Sequence, residues 1–198
     1  MNRWTQARIS TGKLNTVRDL LPGTIVQNNT GVLQYPGQLS QKYRFDKATL
    51  AKHWDTTLSA APGADLEVQY IHVNSSAPVA PARGVLAYWT ATPGEVTTDD
   101  TTGLPVAGVF LGVMAANEYG FIGKVCESLA VKFLNSTTKA TPVIGDTAAG
   151  ISGNSGLADV LADATNQTYA TDRTNRKVGR LITAVTSQIA SVAIAVQD

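Results

Sequence analysis

From Asp65 to its end, the 198-residue chain is written in short runs of branched and aromatic residues, each closed by a cluster of turn formers. The runs are LEVQYIHV (66–73), GVLAYWTA (84–91), VAGVFLGVM (106–114), YGFIGKV (119–125), LAVKFL (129–134), VGRLITAVT (178–186) and IASVAIAV (189–196). They are too short for ordinary helices and carry residues that fit a pleated, half-buried surface. Two alternate cleanly: Leu129, Val131 and Phe133 share one face, and so do Val192, Ile194 and Val196. Many short strands parted by Gly, Pro and Asx turns predict a mainly β fold, a small barrel or sandwich body.

Two of these segments echo each other at an offset of 71 residues. GVFLGVMAANEYGFIGKV (108–125) aligns without a gap on GRLITAVTSQIASVAIAV (179–196), Gly108 on Gly179, Phe110 on Leu181, Leu111 on Ile182, Phe121 on Val192 and Val125 on Val196. Each reads as a hairpin, and each follows a Pro-led strand and a Gly-rich tip. The body therefore reads as two related β-meanders on one core, over 78–125 and 140–196.

The opening of the chain has a different texture. Residues 1–60 hold eight basic and three acidic residues, a difference of +5; residues 61–198 hold eight and twelve, a difference of −4, and the two sum to the net +1. Over the first forty residues Trp4, Ile9, Leu14, Val17, Leu20, Leu21, Ile25, Val26, Val32 and Leu33 keep no helical or strand period. Gly12, Pro22-Gly23, Gly31 and Pro36-Gly37 interrupt them. Such a segment builds no core alone yet is too apolar for a solvated linker. The sequence thus divides into an extended basic arm over 1–60 and a β-rich body over 61–198. The arm holds one short helix from an Asp46 cap to Leu58, with Leu50, Trp54 and Leu58 on one face.

Charged residues make up 16% of the chain, against roughly 25% in an average soluble domain, which suits a surface largely covered by other chains. The small net charge predicts neither a nucleic-acid nor a membrane partner. The first nineteen residues hold no apolar core of signal-peptide length, and no stretch approaches the ~20 apolar residues of a membrane span. The expected place of synthesis is a host cytoplasm. The sole cysteine, Cys126, excludes a disulfide within the chain and sits in an apolar run, where a buried inert thiol is expected.

No motif for catalysis stands out. The histidines are His53 and His72, without a Gly-x-Ser-x-Gly elbow or a His-Glu-x-x-His pair. His72 shares a strand face with Leu66, Val68 and Tyr70 and reads as a packed or edge residue. Asp99-Asp100 after Glu95 matches no calcium loop, and Gly150–Gly156 lacks the Lys-Ser/Thr of a phosphate loop. Arg173, Arg176, Lys177 and Arg180 come without interleaved aromatics, so direct nucleic-acid binding is not expected. No cofactor and no metal is expected, and the reading is of a protein that is not an enzyme.

From 78 to 134, the lead PVAPARGVLAYWTA, a Thr/Asp-rich tip, VAGVFLGVMAANEYGFIGKV and LAVKFL together resemble the head-decoration, or capsid cement, proteins of tailed phages, the lambda-type trimeric decoration proteins in particular. Gly145-Asp146 and the closing KVGRLITAV…SVAIAV (177–196) are similar to the ending of such proteins, so the likeness covers roughly 78–198. The first sixty residues are longer than a typical decoration arm. The resemblance implies a virion protein that binds the capsid surface, cements neighbouring major capsid subunits and forms a homo-oligomer, a trimer by analogy. On that reading the arm supplies the contacts: Trp4, Ile9, Leu14 and Val17 as apolar anchors, Arg3, Arg8, Lys13 and Arg18 as charges facing an acidic shell. The alternatives are another virion component (a head-fibre base, neck or tail protein) or a carbohydrate-binding adhesive module built on Tyr88, Trp89 or Tyr119.

Overall fold

The computed structural model describes residues 25–28, 31–34, 39–75, 80–99, 104–135, 137, 139, 141–150, 156–160 and 177–196. Among them the chain runs β1 (Ile25–Asn28), β2 (Gly31–Gln34), β3 (Lys42–Phe45), α1 (Lys47–His53), β4 (Leu66–Val73), β5 (Leu86–Trp89), β6 (Glu95–Thr97) and β7 (Val106–Phe110). Then come β8 (Tyr119–Lys132), β9 (Thr147–Gly150), β10 (Ala158–Val160), β11 (Lys177–Leu181) and β12 (Ile189–Ala195). The fold is mainly β, as the short runs predict. β1 and β2 form a two-stranded antiparallel hairpin, and the other strands form one ten-stranded sheet in the order β10-β9-β11-β12-β8-β7-β5-β6-β4-β3, with a further β8–β4 pairing.

That further pairing closes a ring. β8 pairs with β4, β4 with β6, β6 with β5, β5 with β7, and β7 returns to β8. A closed circuit of five strands cannot be antiparallel throughout, and the odd pair is β4–β6, which runs parallel. Ile71 and Val73 of β4, Ala87 of β5, Val96 of β6, Ala107 and Phe110 of β7 and Ile122 of β8 form one buried cluster, the inside of this small barrel. The outward faces of the same strands carry Leu66, Val68, Tyr70, Leu86, Tyr88, Val106, Val109 and Phe121. These belong to a second, larger cluster with Val131, Val160, Val178, Leu181, Val192 and Ile194 of the remaining strands. Alternation along each strand thus serves two cores at once, and several ring strands are buried on both faces.

β8 joins the two layers. Tyr119–Cys126 pairs with β4 along one edge, while the other edge meets β7 at Ile122 and Gly123 and then β12 from Val125 to Lys132. The change of partner falls at a bulge: Gly123 faces Val68 and Val125 faces Glu67, which leaves Lys124 as the extra residue. Sequence texture divides this strand into two runs; the structure makes it one, bent where the extra residue is inserted.

The division near Ala60 is corrected. β3 pairs with β4 from Lys42↔Gln69 to Phe45↔Leu66, and Phe45, Leu50 and Trp54 are buried in the larger cluster, so residues 39–60 belong to the body. The helix is also shorter than expected. Asp46 caps it, its carboxylate accepting from the Thr49 N–H at 2.7 Å, but Trp54 is already extended and Leu58 is 56% exposed. The Trp54 indole N–H donates to the Ser59 carbonyl and hydroxyl, and this bond turns the chain out of the helix.

Both expected hairpins form, but they are not equivalent. Val109 faces Gly123 in the first and Arg180 faces Ala193 in the second, one residue out of step with the 71-residue offset. A slip of one residue exchanges the two faces of a strand. Accordingly Phe110 lies inside the ring whereas its aligned partner Leu181 lies in the larger cluster, and Leu111 is buried whereas Ile182 is exposed. The expected Pro-led strand before the second hairpin is an exposed turn at 141–146, with β9 starting only at Thr147.

Close approach of β7 to β8 requires glycine. A Cβ on Gly108 would lie 2.6 Å from the Gly123 carbonyl oxygen, which is backbone and cannot yield, whereas a Cβ on Gly63 would meet nothing within 4 Å. Gly108→Ala is expected to cost about 1–3 kcal/mol, the usual range for overpacking. Gly63→Ala is expected to leave stability unchanged or slightly raised. Urea unfolding midpoints of the two variants check this.

Candidate functional site

The arm residues assigned to assembly contacts (Arg3, Trp4, Arg8, Ile9, Lys13, Leu14, Val17 and Arg18) lie outside the described residues. So do Asp100, Arg173, Arg176 and most of the Gly150–Gly156 run. Among the described residues, two features concentrate exposed apolar surface.

The first is the outward face of the β11–β12 hairpin. Ala190, Val192 and Ile194 point into the larger core, which turns Ile189, Ser191 and Ala193 outward. Ser191 faces Ala130 of β8, and the Ile182 N–H donates to the Ser191 carbonyl from the other side. The result is a row of small residues flanked by Ile182 and Ile189, both exposed. Short side chains on a sheet face let another surface approach closely.

The second is the turn at 141–146, which presents Val143 at 50% and Ile144 at 68% exposure. Nothing in its own apolar content holds it in place; polar groups do. The Asp146 carboxylate accepts from the Val143 N–H at 2.7 Å and from Lys139 Nζ at 2.6 Å. The Gly145 N–H donates to the Leu181 carbonyl, and the Leu181 N–H to that of Asp146, so the turn is fixed to the hairpin beside Ile182. Two branched apolar residues are thereby held in water on a pinned turn, at a hydration cost that a covering surface would relieve.

A polar cluster sits at the parallel seam of the ring. Glu95 of β6 accepts from Asn74 Nδ2 at 2.7 Å and Thr90 Oγ1 at 2.9 Å, and its other oxygen is 3.4 Å from His72 Nδ1. Tyr119 covers the imidazole, with ring centroids 4.6 Å apart. Burial pushes the Glu95 carboxyl up, but the two donors and His72 outweigh it and leave the group below its ordinary value. His72 shares the face of Leu66, Val68 and Tyr70 and is packed between β6 and β8, facing Glu95 and Tyr119. Every polar atom of Glu95 is turned toward β4 or its own turn, so the cluster stitches β4 to β6.

Lys124, the bulge residue, is fully buried. Its ammonium donates to the Ala107 carbonyl at 2.7 Å and lies 5.4 Å from the Trp89 ring centroid. Trp89 packs on the inner cluster while the adjacent Tyr88 is wholly buried in the outer one, so this pair forms no exposed aromatic platform. Cys126 is buried, its thiol pushed up by desolvation and donating to the Ser128 carbonyl at 3.3 Å, as an inert core residue. No group of three or more His, Cys, Asp or Glu side chains is arranged for a metal among the described residues. No helix there is long and apolar enough to cross a membrane. Of these features, the sequence pointed to Cys126 and His72. Lys124 and the Val143–Ile144 turn escaped notice because each owes its setting to contacts distant in the chain.

The Asp146 carboxyl is also held below its ordinary value, burial opposing and the bonds from Lys139 and Val143 prevailing. The native state therefore binds fewer protons than the unfolded chain in the ordinary carboxylate range. Its contribution is present above the unfolded pKa and is lost as pH falls through the folded one. Asp146→Asn is expected to lower stability by about 1.5 kcal/mol at neutral pH, the low end for hydrogen bonds to a charged group. It should also flatten the acid limb of urea midpoint against pH. An unchanged acid limb would show that the carboxylate does not pin the turn.

Compared with known proteins, the chain matches no family model, and no curated protein is significantly similar to it in sequence.

Proposed function

We propose that the chain is a structural protein of a tailed-phage virion, one that binds the capsid surface and cements neighbouring major capsid subunits, and that it is not a catalyst. The observation that carries this reading is the Val143–Ile144 turn, two exposed branched residues fastened beside Ile182 by the Asp146 carboxylate and the Leu181 backbone. A pinned apolar projection loses little entropy on docking, so burying it against a subunit yields nearly its full hydrophobic gain. The low charge content and the small-residue face around Ser191 support the same reading. The basic residues of the opening segment suit an acidic shell, and several modest contacts per molecule would combine through effective concentration. Oligomerisation as a trimer rests on the likeness to decoration proteins alone.

Co-sedimentation with expanded capsids of the parent phage tests the proposal. The intact chain is expected to pellet with the shells. A double Val143→Asp and Ile144→Asp variant is expected to bind at least about ten-fold more weakly, since two anchors worth ~1.5–3 kcal/mol each when fully buried are removed. Deletion of residues 1–38, which stops before Leu39 enters the core, measures the share of the opening segment. An intact chain that stays in the supernatant with expanded shells would refute the reading.

A further inference from the structure

Where the chain leaves α1 and crosses the bulged strand β8, a cavity of about 200 Å³ opens to the surface. Its apolar walls include Trp54, Leu111 and Leu129, its polar side chains include Arg83, Ser128 and Ser191, and no acidic residue lines it among the described residues. Arg83 is half-buried, and its guanidinium makes neither a hydrogen bond nor an ion pair with any described residue. Arg44 pairs with Asp65, Lys139 with Asp146, and Lys124 donates to the Ala107 carbonyl. Among the described residues the hydroxyls of Ser128 and Ser191 have no hydrogen-bond partner. Burial without a counter-charge holds the guanidinium below its ordinary value.

We propose that this cavity is a binding site for a carboxylate carried on a short apolar stem, with the Arg83 guanidinium as its counter-ion and the Ser128 and Ser191 hydroxyls as additional donors. The planar fork of arginine presents paired N–H groups matched to the two oxygens of a carboxylate. One cation balances one negative charge, so a phosphate dianion would leave charge uncompensated between apolar walls. The volume is below the ~300 Å³ at which pockets for drug-sized ligands begin, which limits the occupant to a small acid or a single terminal or side-chain group. The inference is tested apart from the capsid reading, on the free protein and through Arg83, although Ser191 borders both the cavity and the face assigned to docking.

Amide-resolved NMR titration of the full chain with butyrate, butyramide and inorganic phosphate tests it. Butyrate is expected to shift resonances around Arg83, Ser128, Leu129 and Ser191 saturably, with butyramide and phosphate at least about ten-fold weaker. Arg83→Gln should abolish the butyrate response while keeping the rest of the spectrum and melting no lower than the parent, since it removes an uncompensated charge; Arg83→Lys should retain a weakened response. Equal binding of butyramide, stronger binding of phosphate, an unaltered response in Arg83→Gln, or failure of that variant to fold would each overturn the proposal. A short peptide with a free C-terminal carboxylate, set against its amidated form, identifies the source. Tighter binding than butyrate by the free form alone marks a polypeptide end as the ligand, and equal binding marks a free small acid.

Discussion

Everything in the body depends on one strand meeting incompatible neighbours along a single edge. β8 must pair with β7 to close the ring and with β12 to extend the sheet, and both lie on the same side of it. The extra residue at Lys124 resolves the conflict by bending the strand between its two duties. The bulge carries a cost of its own, because its side chain is driven into the interior. A buried ammonium is tolerated only where it is solvated by protein, and here the Ala107 carbonyl and the face of Trp89 do so. Topology thus explains a lysine that composition alone would have put on the surface.

The same bend separates two kinds of packing. Inside the ring, small and medium side chains such as Ala87, Val96, Ala107 and Ile122 fill a narrow space around Phe110. Outside it, Tyr88 lies against β9 at Gly150, while Tyr70 and Phe121 pack on each other and on Tyr119 and Tyr43. Gly108 and Gly123 lie between the two: at Gly108 the backbone of β8 leaves no room for a side chain, and at Gly123 the side chains of Leu129, Leu111 and Leu66 fill the space. Burial on both faces leaves the ring strands little freedom to take polar residues, and the proposed binding surfaces accordingly lie in a turn, on the exposed face around Ser191 and in the cavity at Arg83.

What could be read in advance follows from range. β4 and the outer faces of β8 and β12 were legible because period-two alternation is a local property: Leu129, Val131 and Phe133 declare their common face within six residues. β3 was not, since KYRF carries two cations in four residues and is a strand only because β4 lies beside it. The helix beginning was legible from Asp46, which acts through its own neighbour Thr49. Its end was not, because the bond from Trp54 to Ser59 decides it. Hairpin likeness was visible, and the one-residue difference in register was invisible, as pairing is set between strands and not within them. The site followed the same rule: Arg83, Ser128 and Ser191 come from distant parts of the chain, and no spacing between them carries a signal.

A closed circuit with an odd number of strands must hold one pair that runs the same way, and in this ring that pair spans only His72↔Glu95 and Val73↔Val96. Short main-chain pairing is supplemented there by the side chains that converge on the Glu95 carboxylate. The barrel consequently resembles a belt with one buckle. β6 is held by only two residue pairs to each of its neighbours, so a split of the wall along it would wet the inner cluster from the side of Val96.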